Sequence, residues 1–115
     1  MKIIFTSGQE FLRQFKRLSK KYKSLVNDII VLRNELIENP NQGTDLGNGI
    51  HKVRMAIASK GKGKSGGARV LTLNILIEDS IESELHITFL TIYDKSEISN
   101  VSDSYIQELI KDTKE

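Results

Sequence analysis

No cysteine occurs anywhere in this sequence, no tryptophan, and proline only once, at Pro40. Without thiols the chain can build neither a disulfide framework nor a thiolate metal site. A fold without such staples depends on its apolar core. With 115 residues, 38% of them hydrophobic, the chain can fill one core but not two, so a single domain over residues 1–115 is expected. Long apolar runs are also missing. The longest nearly apolar stretch, Val70 to Ile77, is interrupted by Thr72 and Asn74 and falls far short of the ~20 residues a spanning helix needs. No membrane partner is expected. Met1-Lys2 is followed by only three apolar residues before Thr6-Ser7, unlike a signal peptide. A cytoplasmic protein is the expectation.

Charge of one sign is missing from the middle of the chain. Residues 1–45 carry 8 basic and 5 acidic groups, residues 46–77 carry 6 and none, and residues 78–115 carry 3 and 10. A carboxylate-free segment has no neighbour in sequence to neutralise its field, which makes it a candidate anion-binding surface; the alternative is a solvated basic loop.

Lys2 to Thr6 reads as a short strand, and Ser7-Gly-Gln-Glu10 has capping-box spacing at the start of a helix. Phe11, Phe15, Leu18 and Tyr22 recur at helical spacing, with Arg13, Lys16, Arg17, Lys20 and Lys21 between them. A second stripe, Leu25, Ile29, Leu32 and Leu36, widened by Val26, Ile30 and Ile37, ends at Asn39-Pro40. Seven of the eight glycines lie between Gly43 and Gly67, so turns and strands should follow. Ile50 to Ala58 alternates as a half-buried strand. Ala68 to Ile77 and Glu84 to Tyr93 form a hairpin around an acidic turn, Glu78 to Ser83. Ser102 or Asp103 caps a last helix carrying Ile106, Leu109 and Ile110. The order is β-α-α-β-β-β-α, an α+β fold with an antiparallel twisted sheet, an N-terminal helical hairpin and a short C-terminal helix.

Ala58 to Ser65 satisfies the loosest phosphate-loop pattern, but Gly66-Gly67 and a β-branched run follow Ser65. No helix N-terminus is available to face a phosphate, which argues against nucleotide hydrolysis. If the apolar members of the hairpin face one another, Leu71 opposes Thr91, Leu73 opposes Phe89, Ile75 opposes Ile87, Ile77 opposes Leu85, and Arg69 opposes Tyr93. That register gathers Arg69, Tyr93 and Lys95 near the Lys60, Lys62 and Lys64 loop, which is expected to be mobile with its four glycines and three like charges. Such a cluster suits RNA cleavage by the 2′-hydroxyl. Arginine stabilises the phosphorane charge, a lysine crowded by cations can exchange protons, and tyrosine can stack on a base or donate its proton. No cofactor is called for and no metal: His51 and His86 are far apart in sequence, and His51 is better read as a strand-start residue.

Three segments, Gly49-Ile-His-Lys-Val-Arg54, Lys60-Gly-Lys-Gly-Lys-Ser-Gly-Gly-Ala-Arg69-Val and Leu90-Thr-Ile-Tyr93-Asp-Lys95-Ser-Glu97, resemble the RelE/ParE superfamily of toxin–antitoxin toxins, closest to its HigB-like mRNA interferases. The resemblance spans nearly the whole chain. It implies a RelE-like fold and a ribosome-dependent endoribonuclease that cuts mRNA, inhibits translation and is silenced by a cognate antitoxin protein of helix-turn-helix type. Position by position, Lys52 and Arg54 match the family's basic pair before the loop, Arg69 its strand-opening arginine and Lys95 its basic residue after the last strand, while Tyr93 fits this subgroup. Taken with the lysine loop, the candidate catalytic residues are Arg54, Lys64, Arg69, Tyr93 and Lys95, and Lys52, Lys60 and Lys62 are expected to contact RNA or the ribosome. Some members place a tyrosine further on, where this chain has Val101 and nothing aromatic until Tyr105, so general base and general acid stay unassigned. Two alternatives share the same surface: a non-enzymatic ParE-like inhibitor or nucleic-acid-binding module, and a basic face that binds an acidic protein.

Overall fold

A computed structural model describes residues 1–78 and 81–113. Its elements are β1 (Lys2–Ser7), α1 (Gln9–Lys21), α2 (Leu25–Glu38), β2 (Thr44–Gly47), β3 (Ile50–Met55), a 3-10 turn (Ala58–Lys60), β4 (Ala68–Glu78), β5 (Ser83–Asp94) and α3 (Asp103–Thr113). The strands form one sheet in the order β1-β5-β4-β3-β2. The fold is α+β, but the sheet is mixed rather than antiparallel. β1 runs parallel to β5, pairing Lys2 with Glu84 and Ser7 with Phe89, because the chain returns to it only after the helical hairpin and three further strands. β2 was not expected. It is four residues long and exposed throughout, so it carries no alternation to reveal it.

The periodicity of α1 holds: Phe11, Leu18 and Tyr22 are buried and the five basic residues face outward. Its expected capping box does not form. Ser7 remains in β1, Gly8 takes the cap position and donates its amide to Phe89 O at 2.9 Å, and the Glu10 carboxylate turns to Arg13, Gln14 and Tyr105. On α2, Leu25, Leu32 and Leu36 are buried, while Val26, Ile30 and Ile37 are about half exposed; the helix buries a narrow stripe against the sheet rather than the wide one expected. It ends before Pro40, which cannot continue it. Ser102 proves to be the α3 cap, its hydroxyl accepting the Tyr105 amide at 3.1 Å.

Each face of the sheet has a core. Val53, Met55, Ala68, Val70, Ile87, Phe89 and Ile92 pack against α1 and α2. On the opposite side Ile50, Leu71, Leu73 and Leu90 pack against Ile106 and Leu109 of α3. A β-bulge opposite Leu71/Thr72 serves both, since it leaves Leu90 as an extra residue on β5: Leu90 and Thr91 then both project toward α3, while Phe89 and Ile92, three residues apart, both reach the other core. The expected hairpin register therefore holds only at the site end, where Arg69 faces Tyr93 and Leu71 faces Thr91. Beyond the bulge it slips by one residue: Leu73 pairs with Thr88, Ile75 with His86 and Ile77 with Glu84. Of the acidic turn, Asp79 and Ser80 lie outside the described residues. Among the described residues no helix is long and apolar enough to cross a membrane.

Candidate active site

Because directly paired residues project from the same face, the ladder sets Arg54, Arg69 and Tyr93 side by side across β3, β4 and β5. Two residues along, on the same face, stand Lys52, Leu71 and Thr91. α3 covers the apolar part of this face and leaves the cationic part. Glycine permits the close approaches at its margins. A Cβ on Gly67 would lie 2.2 Å from Met55 O, and one on Gly43, whose φ is +97°, would lie 2.5 Å from Lys52 O. Lys52, Arg54 and Lys64 line one cleft of about 290 Å³ with Gln42, Gly43 and Thr44. A larger hollow of about 440 Å³, between the start of α1 and α3, has no cation in its wall among the described residues.

Arg69 is only 8% exposed and has no carboxylate partner among the described residues. Its guanidinium donates to three backbone carbonyls, Lys64 O at 3.0 Å, Ala68 O at 3.1 Å and Ser65 O at 3.3 Å. Tyr93 is 3% exposed, and its hydroxyl is buried without a hydrogen-bond partner. Burial pushes that phenol above its ordinary pKa, and the neighbouring Arg69 offsets the rise only in part. Near neutrality it is a phenol, a proton donor rather than a base. Lys95 follows one residue after β5; its amide donates to Gly67 O at 3.1 Å and its Nζ to Ser99 O at 2.9 Å.

The Ser59–Gly67 loop departs from expectation in two ways. It is tied down, through Arg69 and through Lys60, rather than loose. Its field is also partly neutralised, by carboxylates distant in sequence. Lys60, expected to face RNA, turns inward: Nζ donates to Asp94 Oδ1 at 2.7 Å and Gly66 O at 2.8 Å. Lys64 lies 3.1 Å from Glu35 of α2, with both side chains partly exposed. Among the described residues Lys52, Arg54 and Lys62 form no ion pair with any carboxylate, and they remain available to an anion. Ser65 leads through Gly66-Gly67 into β4, not into a helix. His51 is buried on the face opposite Lys52 and takes no part in the site.

Asp94 was missed as a site residue. Fully buried, it accepts hydrogen bonds from Lys60, Tyr22 Oη, the Ser96 amide and Ser96 Oγ. Burial alone would raise its pKa, but those donors outweigh it and hold the carboxyl well below the usual carboxylate range. Its position between Tyr93 and Lys95 was the available signal; Tyr22 carried none, since its spacing fitted a core stripe. The model of the family described as RelE toxin of RelE / RelB toxin-antitoxin system matches residues 7–115. The chain belongs to the RelE toxin family. Members of this RelE family are generally endoribonucleases acting on mRNA, and membership implies an antitoxin as protein partner. No curated protein and no solved structure matches the chain.

Proposed function

We propose that this RelE-family toxin is a metal-independent, ribosome-dependent mRNA endoribonuclease of the HigB-like kind, acting in the cytoplasm and held in check by a helix-turn-helix antitoxin. One observation carries the reading: Arg54, Arg69 and Tyr93 form a continuous row beside the cleft of Lys52 and Lys64, with no carboxylate among the described residues paired to Arg54, Arg69 or Lys52. In the reaction the 2′-oxygen attacks the adjacent phosphorus and the P–O5′ bond breaks. One proton leaves the 2′-hydroxyl, another reaches O5′, and the products are a 2′,3′-cyclic phosphate and a 5′-hydroxyl. Arg69 supports the equatorial oxygens of the phosphorane. The Lys64 and Ser65 carbonyls occupy its donors in the free protein, and phosphate oxygens replace them when RNA enters. Tyr93, kept as a phenol, suits protonation of the departing O5′. Arg54, Lys64 and Lys95 add positive charge around the phosphate, while Lys52 and Lys62 hold the flanking backbone.

The burial of Arg69 and Tyr93 supports a second reading, in which exposed Arg54 and Lys62 and half-buried Lys52 only bind nucleic acid. End-group analysis of mRNA from translating ribosomes separates the two. The nuclease should leave cyclic-phosphate ends. Tyr93→Phe should slow it by roughly 10² to 10⁴ if the hydroxyl moves a proton. Wild-type protein that binds ribosomes and leaves no cut ends would establish the binding module.

A further inference from the structure

Lys60 is the lysine of the loop least exposed to solvent, its side chain 11% accessible, and its ammonium joins three segments. Nζ donates to Gly66 O at 2.8 Å, which closes the loop on itself and leaves 61–65 as a tip carrying Lys62 and Lys64. It donates to Asp94 Oδ1 at 2.7 Å, at the end of β5, and lies 3.3 Å from Ser96 Oγ in the turn beyond Lys95. Asp94 in turn fixes that turn through the Ser96 amide and hydroxyl, at 2.9 and 2.7 Å, and reaches α1 through Tyr22 and, at 3.9 Å, Lys21. An ammonium with its donors filled and its carboxylate beneath it has little to offer a phosphate.

We infer that Lys60 and Asp94 are positioning residues: their buried pair sets the Lys62–Lys64 tip and the Lys95 turn at a fixed spacing around Arg69 and Tyr93, and Lys60 itself makes no contact with RNA. This rests on the nuclease reading above and replaces the RNA-contact role first expected of Lys60. The pair matters because misplacing catalytic groups by about 1 Å can cost on the order of 10² in rate without any loss of binding charge.

The test compares Lys60→Met, Asp94→Asn, their double variant and Lys62→Ala, all as full chains whose folding is checked by circular dichroism. RNA affinity is measured across a salt series, cleavage on translating ribosomes, and amide hydrogen exchange without RNA. A phosphate contact leaves a signature in the salt series, so Lys62→Ala should flatten log K against log salt by about 0.7–0.9. Lys60→Met should leave that slope as in wild type yet lower cleavage by roughly 10- to 100-fold. The double variant should be no worse than either single one, as for two groups acting as a unit. Exchange at the Lys95 and Ser96 amides should rise about tenfold or more in Lys60→Met and not in Lys62→Ala. A Lys60→Met slope reduced like that of Lys62→Ala would make Lys60 a phosphate ligand and overturn the inference, as would wild-type cleavage or unchanged exchange. Wild-type protein that neither binds nor cuts RNA would sink the nuclease reading instead, and the exchange arm would still decide whether Lys60 holds the two segments.

Discussion

Val53, Val70 and Ile92 stand side by side across β3, β4 and β5, and so, one residue along each strand, do Arg54, Arg69 and Tyr93. The first row is at most 1% exposed and packs under the helical hairpin, where each side chain contributes about 1.5–3 kcal/mol by leaving water. The second row works against stability. Arg69 is buried with backbone carbonyls as its acceptors among the described residues, and an unpartnered buried hydroxyl such as that of Tyr93 costs about 1–3 kcal/mol. Since the two rows share strands and ladder, the backbone does not explain the difference. A row that folding alone would have filled with apolar side chains holds charge instead, and that points to chemistry.

The sharpest way to break the comparison is to put a charge in the first row. Ile92→Asp would bury a carboxylate among apolar side chains and should cost more than about 4 kcal/mol, abolishing the cooperative thermal transition and all activity. If a folded, active Ile92→Asp protein resulted, the two faces would not be as different as the ladder makes them. In the second row the expected loss is of rate rather than fold. Arg69→Lys keeps the charge and removes the fork that reaches two loop carbonyls, so its circular dichroism should match wild type while cleavage falls by roughly 10² to 10³. Wild-type cleavage by Arg69→Lys would mean that charge alone suffices, as in a binding surface.

The first row was legible in the sequence because period-2 alternation is a local signal: Val53, Met55 and Ile57 point one way and Lys52 and Arg54 the other, as expected. The Arg69–Tyr93 pairing was legible for the same reason. What lay beyond it was not, because the bulge at Leu71/Thr72 answers to two cores competing for β5, and neither strand alone records that competition. The parallel pairing of β1 with β5 and the exposed strand β2 were hidden likewise, one set by chain path and the other too short to alternate. Lys60 and Lys64 read as free cations because Asp94 and Glu35 sit 34 and 29 residues away, out of reach of any local charge count.

A smaller effect should follow from acid. The folded carboxyl of Asp94 is depressed, so the stability it supplies is fully present above its unfolded pKa of about 3.9 and is lost as pH falls from there toward the folded value. Asp94→Asn should therefore be less stable than wild type by about 1.5–3 kcal/mol at neutral pH, and the gap should close progressively below about pH 4. Denaturant titrations at several pH values would show it. A gap that stayed constant from pH 7 to pH 2 would mean the carboxylate's charge is not what its donors hold.

The smallest effect belongs to an ion pair that joins the hairpin side of the sheet to the rim of the cationic cleft. Glu35 leaves α2 and meets Lys64 at 3.1 Å, with about half of the lysine side chain and a third of the glutamate exposed. Pairs so open to solvent are worth about 0–1 kcal/mol, because water and salt screen the attraction and two long side chains must be ordered to make it. Glu35→Gln should leave the thermal midpoint within a few degrees of wild type. It should also free Lys64 for phosphate, raising RNA affinity at low salt and steepening the salt dependence by up to about 0.7–0.9. If stability drops by several kcal/mol, Glu35 serves the core rather than the rim. If affinity and slope stay at wild-type values while Lys64→Ala lowers both, Lys64 already leaves Glu35 for RNA in the native protein, and the pair is only its resting place between encounters.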